Sequence, residues 1–354
     1  MNDNGRTYIT WQDDTSKFGP NDMGSDNDVF YRYLQDDLTW FGTIFFINTS
    51  SNSENPSMAF VGTDRKVVWE ETNTTTDHDI YYQNGASPIP LLNDKRTAEN
   101  PQIACDSDGN IHVVWTDDSN VSGWQLDPDI FYRFYNESSS TWSDVSLVSS
   151  GTQYAAMNPK IDLDSDGNAH IIWHEWTFSF PVYHYIKYRS WNKATNSWSS
   201  EYIIASANNN QVDNPDIAVD KNDNIYVVWD DSISYTSLGD DSVGDRDIIM
   251  KIYDHTASQW GDNLLISIGS NESSLCPCID TDSNGKAHIA WADRAESLHS
   301  SGKDDDIFYV TFTATPPDSG PNNGIPFGNT FILVILISVI SIVSIQIKKL
   351  NRKI

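Results

Sequence analysis

One phrase recurs along the chain and restricts what it can fold into. It reads NPQIACDSDGNIHVVWTDD from Asn100, NPKIDLDSDGNAHIIWHE from Asn158, NPDIAVDKNDNIYVVWDD from Asn214 and CPCIDTDSNGKAHIAWAD from Cys276. A looser copy, NPSMAFVGTDRKVVWEE, starts at Asn55, and the opening NDNGRTYITWQDD reads as the end of a sixth. The pivot tryptophans Trp11, Trp69, Trp115, Trp173, Trp229 and Trp291 stand 58, 46, 58, 56 and 62 residues apart. A period of this size, made only of strand-like runs, indicates a β-propeller or a related array, because each repeat is one unit that covers its faces against the next.

Each copy parses into four strands. The first is short, as in Gln102–Cys105, and ends in a turn of Asp106, Asp108, Gly109 and Asn110, residue types that accept a tight hairpin. The second, His112–Trp115, is β-branched and aromatic. A third begins at a recurring D-x-D, seen as Asp26/Asp28, Asp77/Asp79, Asp127/Asp129, Asp245/Asp247 and Asp304/Asp306, while repeat four has Tyr183, His184 and Tyr185 there. The fourth begins near Trp40, Trp142, Trp198 or Trp260. No helical period occurs in the first 312 residues. The expected fold is all-β, a six-bladed β-propeller of four-stranded blades over residues 1–313. Repeat one lacks its first strand and repeat six its fourth. An N-terminal extension carrying a signal peptide and two strands, the second resembling NPxIAxD, is expected to supply both and close the ring.

A Pro/Gly/Asn linker occupies 314–324. It precedes an apolar segment, 325–347, of the length a bilayer-spanning helix requires, and a basic tail, 348–354, with Lys348, Lys349, Arg352 and Lys353. Basic flanks stay cytoplasmic, so the expectation is a single-pass, cell-surface protein with its N-terminal ectodomain outside and its C-terminus in the cytoplasm. All 50 acidic residues precede the apolar segment, and the formal net charge is −28. Such a surface repels nucleic acid and suits cations, cationic partners or neutral glycans. Cys105, Cys276 and Cys278 lie on first strands of repeats three and six, and they read as core or incidental rather than as a disulfide or zinc motif.

The candidate binding residues are the carboxylates two positions after each pivot tryptophan: Asp13, Glu71, Asp117, Glu175, Asp231 and Asp293. They end the second strands, on the rim where the variable loops carry Trp124, Trp176, Phe178, Phe180 and Tyr235. Variable loops with aromatics on a rigid scaffold are where ligands bind. The structural alternative is that the carboxylates cap loop N–H groups and register the hairpins. Calcium is the expected cofactor, at the crowded loop of repeat five with Asp230, Asp231, Asp240, Asp241, Asp245 and Asp247, because so many like charges call for a cation. The DSDGN turns from Asp106 and Asp164 read as hairpin turns. His112, His170 and His288, with Tyr8 and Tyr226 at the same strand position, read as packing and hydrogen-bonding groups between blades.

The order P-x-I-A-x-D-x-x-G-N-x-H-V-V-W-x-D, then D-I-[FY]-Y-R, then W-S, resembles the sialidase-type BNR, or Asp-box, propellers. The box itself is degenerate, as YNESSSTW ending at Trp142, WNKATNSW at Trp198 and YDHTASQW at Trp260. The resemblance implies a propeller and raises the possibility of a glycosidase with three arginines around a carboxylate. Arg32, Arg133 and Arg189 share one third-strand position, which points to packing, and the F-R-I-P signature is absent. The layout GIPFGN, apolar run, KKLNRK also resembles the sorting tails of archaeal surface proteins such as the PGF-CTERM group, although Pro326-Phe327-Gly328 stands where that group has Pro-Gly-Phe. The first reading is a surface-anchored, non-catalytic propeller that binds a glycan or a protein through its loop face. The alternatives are a sialidase-like glycoside hydrolase and a structural cell-envelope repeat protein.

Overall fold

The computed structural model describes residues 7–13, 27–34, 40–47, 51–74, 77–85, 87–92, 97–118, 127–149, 154–178, 180–233, 245–268, 270, 272–293 and 306–313. The linker, apolar segment and basic tail expected at 314–354 lie outside them. Among the described residues there are six antiparallel sheets and no helix, one sheet for each repeat.

These residues divide into two compact units. The first, residues 7–118 and 131–146, holds a sheet of Thr7–Asp13, Asp28–Leu34 and Trp40–Ile47, and a second of Asn52–Val61, Asp64–Thr74, Asp77–Gln83 and Ile89–Pro90. It also holds the bulk of the sheet formed by Ala98–Cys105, Ile111–Asp117, Asp129–Asn136, Thr141–Trp142 and Ser146–Leu147. The second unit, residues 127–130 and 147–313, holds three more sheets. One is Tyr154–Leu163, Ala169–Thr177, Tyr183–Asn192, Ser197–Trp198 and Tyr202–Asn208. The next is Val212–Val219, Ile225–Asp231, Asp247–Asp254, Gln259–Trp260 and Leu264–Leu265, and the last is Ser274–Thr281, Lys286–Asp293 and Asp306–Thr313. The first and last sheets have three strands each among the described residues.

The second strands form the core. Every residue of Ile111–Asp117 and of Ile225–Asp231 is buried, which is why these segments read as apolar runs rather than as an alternation. Trp69, Trp115, Trp173 and Trp229 are fully buried and Trp291 nearly so.

The Asn-Pro dipeptide that opens the phrase marks a β-bulge. Asn55, Asn100, Asn158 and Asn214 have φ of 49°, 53°, 53° and 48°, and Cys276 takes the same conformation at 53°. The pairing register shifts at each of these points. Asparagine tolerates this left-handed region better than most residues, so the dipeptide is a backbone requirement.

The Asp-x-Asp-Gly-Asn turns are self-contained, as expected. Asp106 Oδ1 accepts from the N–H groups of Asp108 and Asn110 at 3.0 and 2.9 Å, and its Oδ2 accepts from Asn110 Nδ2 at 2.7 Å. Asn110 Oδ1 then accepts from the Glu137 N–H at 3.0 Å, tying this hairpin to the next turn. Asp164 and Asn168 repeat the arrangement, with Lys193 as the donor. The degenerate box is the hairpin between third and fourth strands. Asn192 and Asp254 accept from the N–H groups of Thr195 and Ala257, and the turns pass through positive φ at Ser140, Asn196 and Ser258. In repeats three to five the tryptophan that follows lies in a two-residue strand, and the fourth strand resumes a few residues later, so it is split where a single strand was expected.

At the position shared by the recurring histidines and tyrosines, Tyr8 and Tyr226 pack on the neighbouring sheet, with ring centroids 4.6 Å from Phe60 and 6.4 Å from Phe312. His112, His170 and His288 hydrogen-bond inside their own sheets. Their Nδ1 atoms meet the hydroxyls of Tyr132, Tyr188 and Tyr309 on the third strand of the same sheet, at 2.8 and 2.7 Å for the first two. Arg133 and Arg189 do join neighbouring sheets. Each donates from Nε to its own fourth-strand region, at Ser143 O and Ser199 O, and from Nη1 to the preceding repeat, at Leu91 O and Val148 O. Their guanidinium groups are therefore committed to backbone carbonyls rather than gathered around a substrate carboxylate.

Candidate functional site

Residues two apart on a strand share a face, so the carboxylate after each pivot tryptophan lies beside its indole. The Trp69 Nε1–H donates to Glu71 Oε2 at 2.8 Å and that of Trp229 to Asp231 Oδ2 at 2.8 Å. Trp173–Glu175 and Trp291–Asp293 repeat the pair at 3.3 Å. Neighbouring hydroxyls add to it: Ser53 donates to Glu71, and Ser270 and Ser274 both donate to Asp293. Glu71, Asp117, Glu175, Asp231 and Asp293 are all buried. The structure thus places these five inside the sheets rather than on an open rim. Glu71, Glu175, Asp231 and Asp293 accept from buried indoles, a partnership that the sequence reading did not consider. The side chain of Asp13 lies outside the described residues, as do Trp124 and Tyr235.

The repeat-five cluster is also divided among partners. Asp231 takes the indole and the Ile233 N–H, Asp247 takes the Ser267 hydroxyl at 2.7 Å, and Asp230 pairs with Arg246. Asp245 is half-buried, and Asp240 and Asp241 lie outside the described residues.

The residue one step after the tryptophan faces the other way. At that position stand Glu70, His174 and Asp230, which gather with two further strand positions in the same unit. One lies at the start of the third strand, the other is the residue just before the next bulge. In the first unit this gives Glu70, His78 and Glu99: His78 Nδ1 lies 2.8 Å from Glu70 Oε1 and 3.9 Å from Glu99 Oε1. Asn55 Nδ2 donates to the other Glu70 oxygen at 2.8 Å. Burial, reinforced by the Glu70 charge, raises Glu99 above the usual carboxylate range.

In the second unit the same positions give His174, His184 and Asp213, and this cluster is the candidate site. His174 Nε2 lies 3.0 Å from His184 Nδ1 and 3.2 Å from Asp213 Oδ1. His184 Nδ1 lies 3.8 Å from the same oxygen. The two rings are parallel within 9°, their centroids 5.2 Å apart. Arg246 donates from Nη2 to Asp213 Oδ2 at 2.9 Å, pairs with Asp230 Oδ1, and reaches Gln211 Oε1 from Nη1 at 3.1 Å. Asp230 is fully buried; its Oδ2 accepts from Asn214 Nδ2 and from the Cys276 N–H. Burial pushes Asp230 up to about 6 although Arg246 opposes it, and burial holds His174 down at about 4, so its imidazole is neutral at pH 7.

An aromatic surface adjoins this cluster. The Trp176 ring centroid lies 5.1 Å from that of His174, and Trp176 pairs in register with His184. The chain then turns through Phe178 and Phe180, which are 60% and 87% exposed, and returns at Tyr183, whose ring stacks on Tyr185. Thr177 Oγ1 holds the neck of this loop, accepting from the Tyr183 N–H at 3.0 Å and donating to Pro181 O at 3.4 Å. The Phe180–Pro181 peptide is cis. Trp176 and Phe178 were expected from the sequence to stand on this loop face, and both adjoin the cluster's sheet. His174, His184, Asp213 and Arg246 were not, and the available signal was local: repeat four replaces the usual D-x-D by Tyr-His-Tyr at the position where the cluster forms.

No protein-family model matches the chain, and no curated protein matches it. Solved structures do. A protein of unknown function from Dyadobacter fermentans superposes with a TM-score of 0.54 at 9% identity, covering 86% of this chain and 90% of that one. A polysaccharide lyase of family PL25, an ulvan lyase, superposes with a TM-score of 0.50 at 12% identity, over 74% of this chain and 71% of that one. The fold is propeller-like. At such identities the likeness concerns the fold and not the activity.

Proposed function

We propose that this chain is a carbohydrate-active propeller that holds a polysaccharide against Trp176, Phe178 and Phe180 and processes it at the His174–His184–Asp213–Arg246 cluster. The observation that carries this reading is the exposure of Phe178 and Phe180 beside a half-buried group of imidazoles, carboxylate and guanidinium. Large exposed aromatics are unfavourable in water unless something covers them, and the apolar C–H faces of sugar rings are suited to do so. Next to them two imidazoles and a carboxylate converge on one point, an arrangement able to orient a water or a polar group of a bound sugar. The polysaccharide lyase among the similar folds agrees with this class of substrate. A processing role fits the cluster better than the purely binding role that heads the sequence reading. The ring is six-bladed in this proposal, anchored through 325–347 with the sheets on the cell exterior.

Three measurements test this. A panel of neutral and acidic polysaccharides incubated with the full chain should yield new reducing ends, from hydrolysis, or new ultraviolet absorbance, from elimination, with at least one member. Retention of a polysaccharide without cleavage would return the protein to a binding role, and neither retention nor cleavage across the panel would overturn the reading. In the Phe178→Ala/Phe180→Ala variant, affinity for that polysaccharide should fall about tenfold, equivalent to about 1.4 kcal/mol. Protease added to intact cells should remove the sheets and spare only a short tail, and complete protection before lysis would reverse the topology.

A further inference from the structure

We propose that His174, His184 and Asp213 form a three-ligand site for a divalent transition metal, with zinc as the ion. The three donor atoms, His174 Nε2, His184 Nδ1 and Asp213 Oδ1, form a triangle with sides of 3.0, 3.2 and 3.8 Å. The point equidistant from all three lies about 2 Å from each, the length of a zinc–imidazole or zinc–carboxylate bond. Two imidazoles and one carboxylate are a donor set that borderline-soft divalent ions prefer over calcium or magnesium, which take oxygen ligands. Three protein ligands leave a fourth position for water or a substrate oxygen.

The surroundings fit as well. Asp213 needs only Oδ1 for the ion. Its Oδ2 is held by Arg246 at 2.9 Å, the kind of outer contact that fixes a ligating carboxylate in one orientation. Asp213 and Asp230 share that one guanidinium, so the group carries an excess negative charge that a cation balances. The three ligands come from the second and third strands of one sheet and the first strand of the next, so their backbones are fixed without the ion. The equivalent positions in the first unit, Glu70, His78 and Glu99, offer one imidazole only and serve as an internal comparison.

The inference is independent of the polysaccharide reading, because its test contains no glycan. The full chain, stripped with chelator, is titrated with zinc and with cobalt(II), whose visible spectrum reports tetrahedral nitrogen and oxygen coordination. The expected result is about one tight equivalent, with tetrahedral cobalt bands. His184→Ala, chosen because His184 is the more exposed histidine, should weaken zinc at least about tenfold while His78→Ala leaves it unchanged. Circular dichroism and melting of metal-free His184→Ala against metal-free wild type separate loss of ligation from loss of fold. If His184→Ala unfolds, Asp213→Asn is read in the same way. Zinc retained equally by the ligand variants and the wild type, or no tight equivalent in the wild type, overturns the site.

Discussion

Replacing Trp229 with alanine should destabilise the fold by about 3–5 kcal/mol, the range for removing a large buried aromatic from a packed core. Trp229 has no exposed surface and packs with Ile172, Ile186, Val212, Ile217 and Ile249, residues from two neighbouring sheets. Alanine leaves a cavity in that cluster. It also removes the indole donor from Asp231 Oδ2, so a fully buried carboxylate loses one of its hydrogen bonds. Trp229→Phe fills much of the cavity but still lacks that donor, and its loss should fall between wild type and alanine. Trp11, half-buried and stacked on Phe30, should show a smaller loss on the same change. Denaturant midpoints measured at unchanged slope read these differences. An alanine variant within about 1 kcal/mol of wild type would mean that the pivot tryptophans are not the interior anchors described here.

The repeat made the architecture legible. One antiparallel sheet per repeat and the order of its first three strands follow from the phrase, because each of its elements answers a backbone demand: asparagine at the positive-φ bulge, aspartate and glycine in the turn, tryptophan in the core. The same regularity hid the chemistry. A carboxylate present after every pivot tryptophan looks like a shared ligand set, yet a feature that recurs with the repeat is what packing requires, and in four repeats the buried indole N–H is its partner. The site came from positions where the repeats differ. Glu70, His174 and Asp230 occupy one strand position, and His78, His184 and Arg246 another, so no motif joins them in sequence. Asp213 is 29 residues from His184 along the chain and approaches it only because the next sheet's bulge lies there.

Lowering the pH from 8 to 5 should stabilise this protein, the reverse of what so many carboxylates suggest. Burial pushes Asp162 up to about 7, outweighing the N–H groups of Val219 and Leu163 that it accepts from at 2.7 and 2.9 Å. Burial also raises Asp129 to about 6 despite the Ser149 hydroxyl at 2.6 Å, and it raises Asp216 and Asp280. In the unfolded chain an aspartate titrates near 3.9. Between about 4 and 7 these carboxylates, with Asp230 at about 6, bind more protons folded than unfolded; together they outweigh His174, whose depression to about 4 acts in the opposite sense, and stability rises as pH falls through that window. Asp164 and Asp282 act in the opposite sense. Burial of Asp164 is outweighed by bonds from His170 and Asn168, and Asp282 is held mainly by the Lys286 N–H, so both sit at about 2. Their contribution is lost below about 4, which places the stability maximum near pH 4–5. Relief of repulsion within a chain of net charge −28 works in the same direction, but salt screens that surface component and leaves the buried one. Melting temperatures taken from pH 3 to 8 in about 0.5 M salt isolate the buried groups. They should rise from pH 8 to 5, fall again towards 3, and show a shallower rise in Asp162→Asn. A melting temperature that is flat or increases from pH 5 to 8 at high salt would show that these carboxylates are not buried as described.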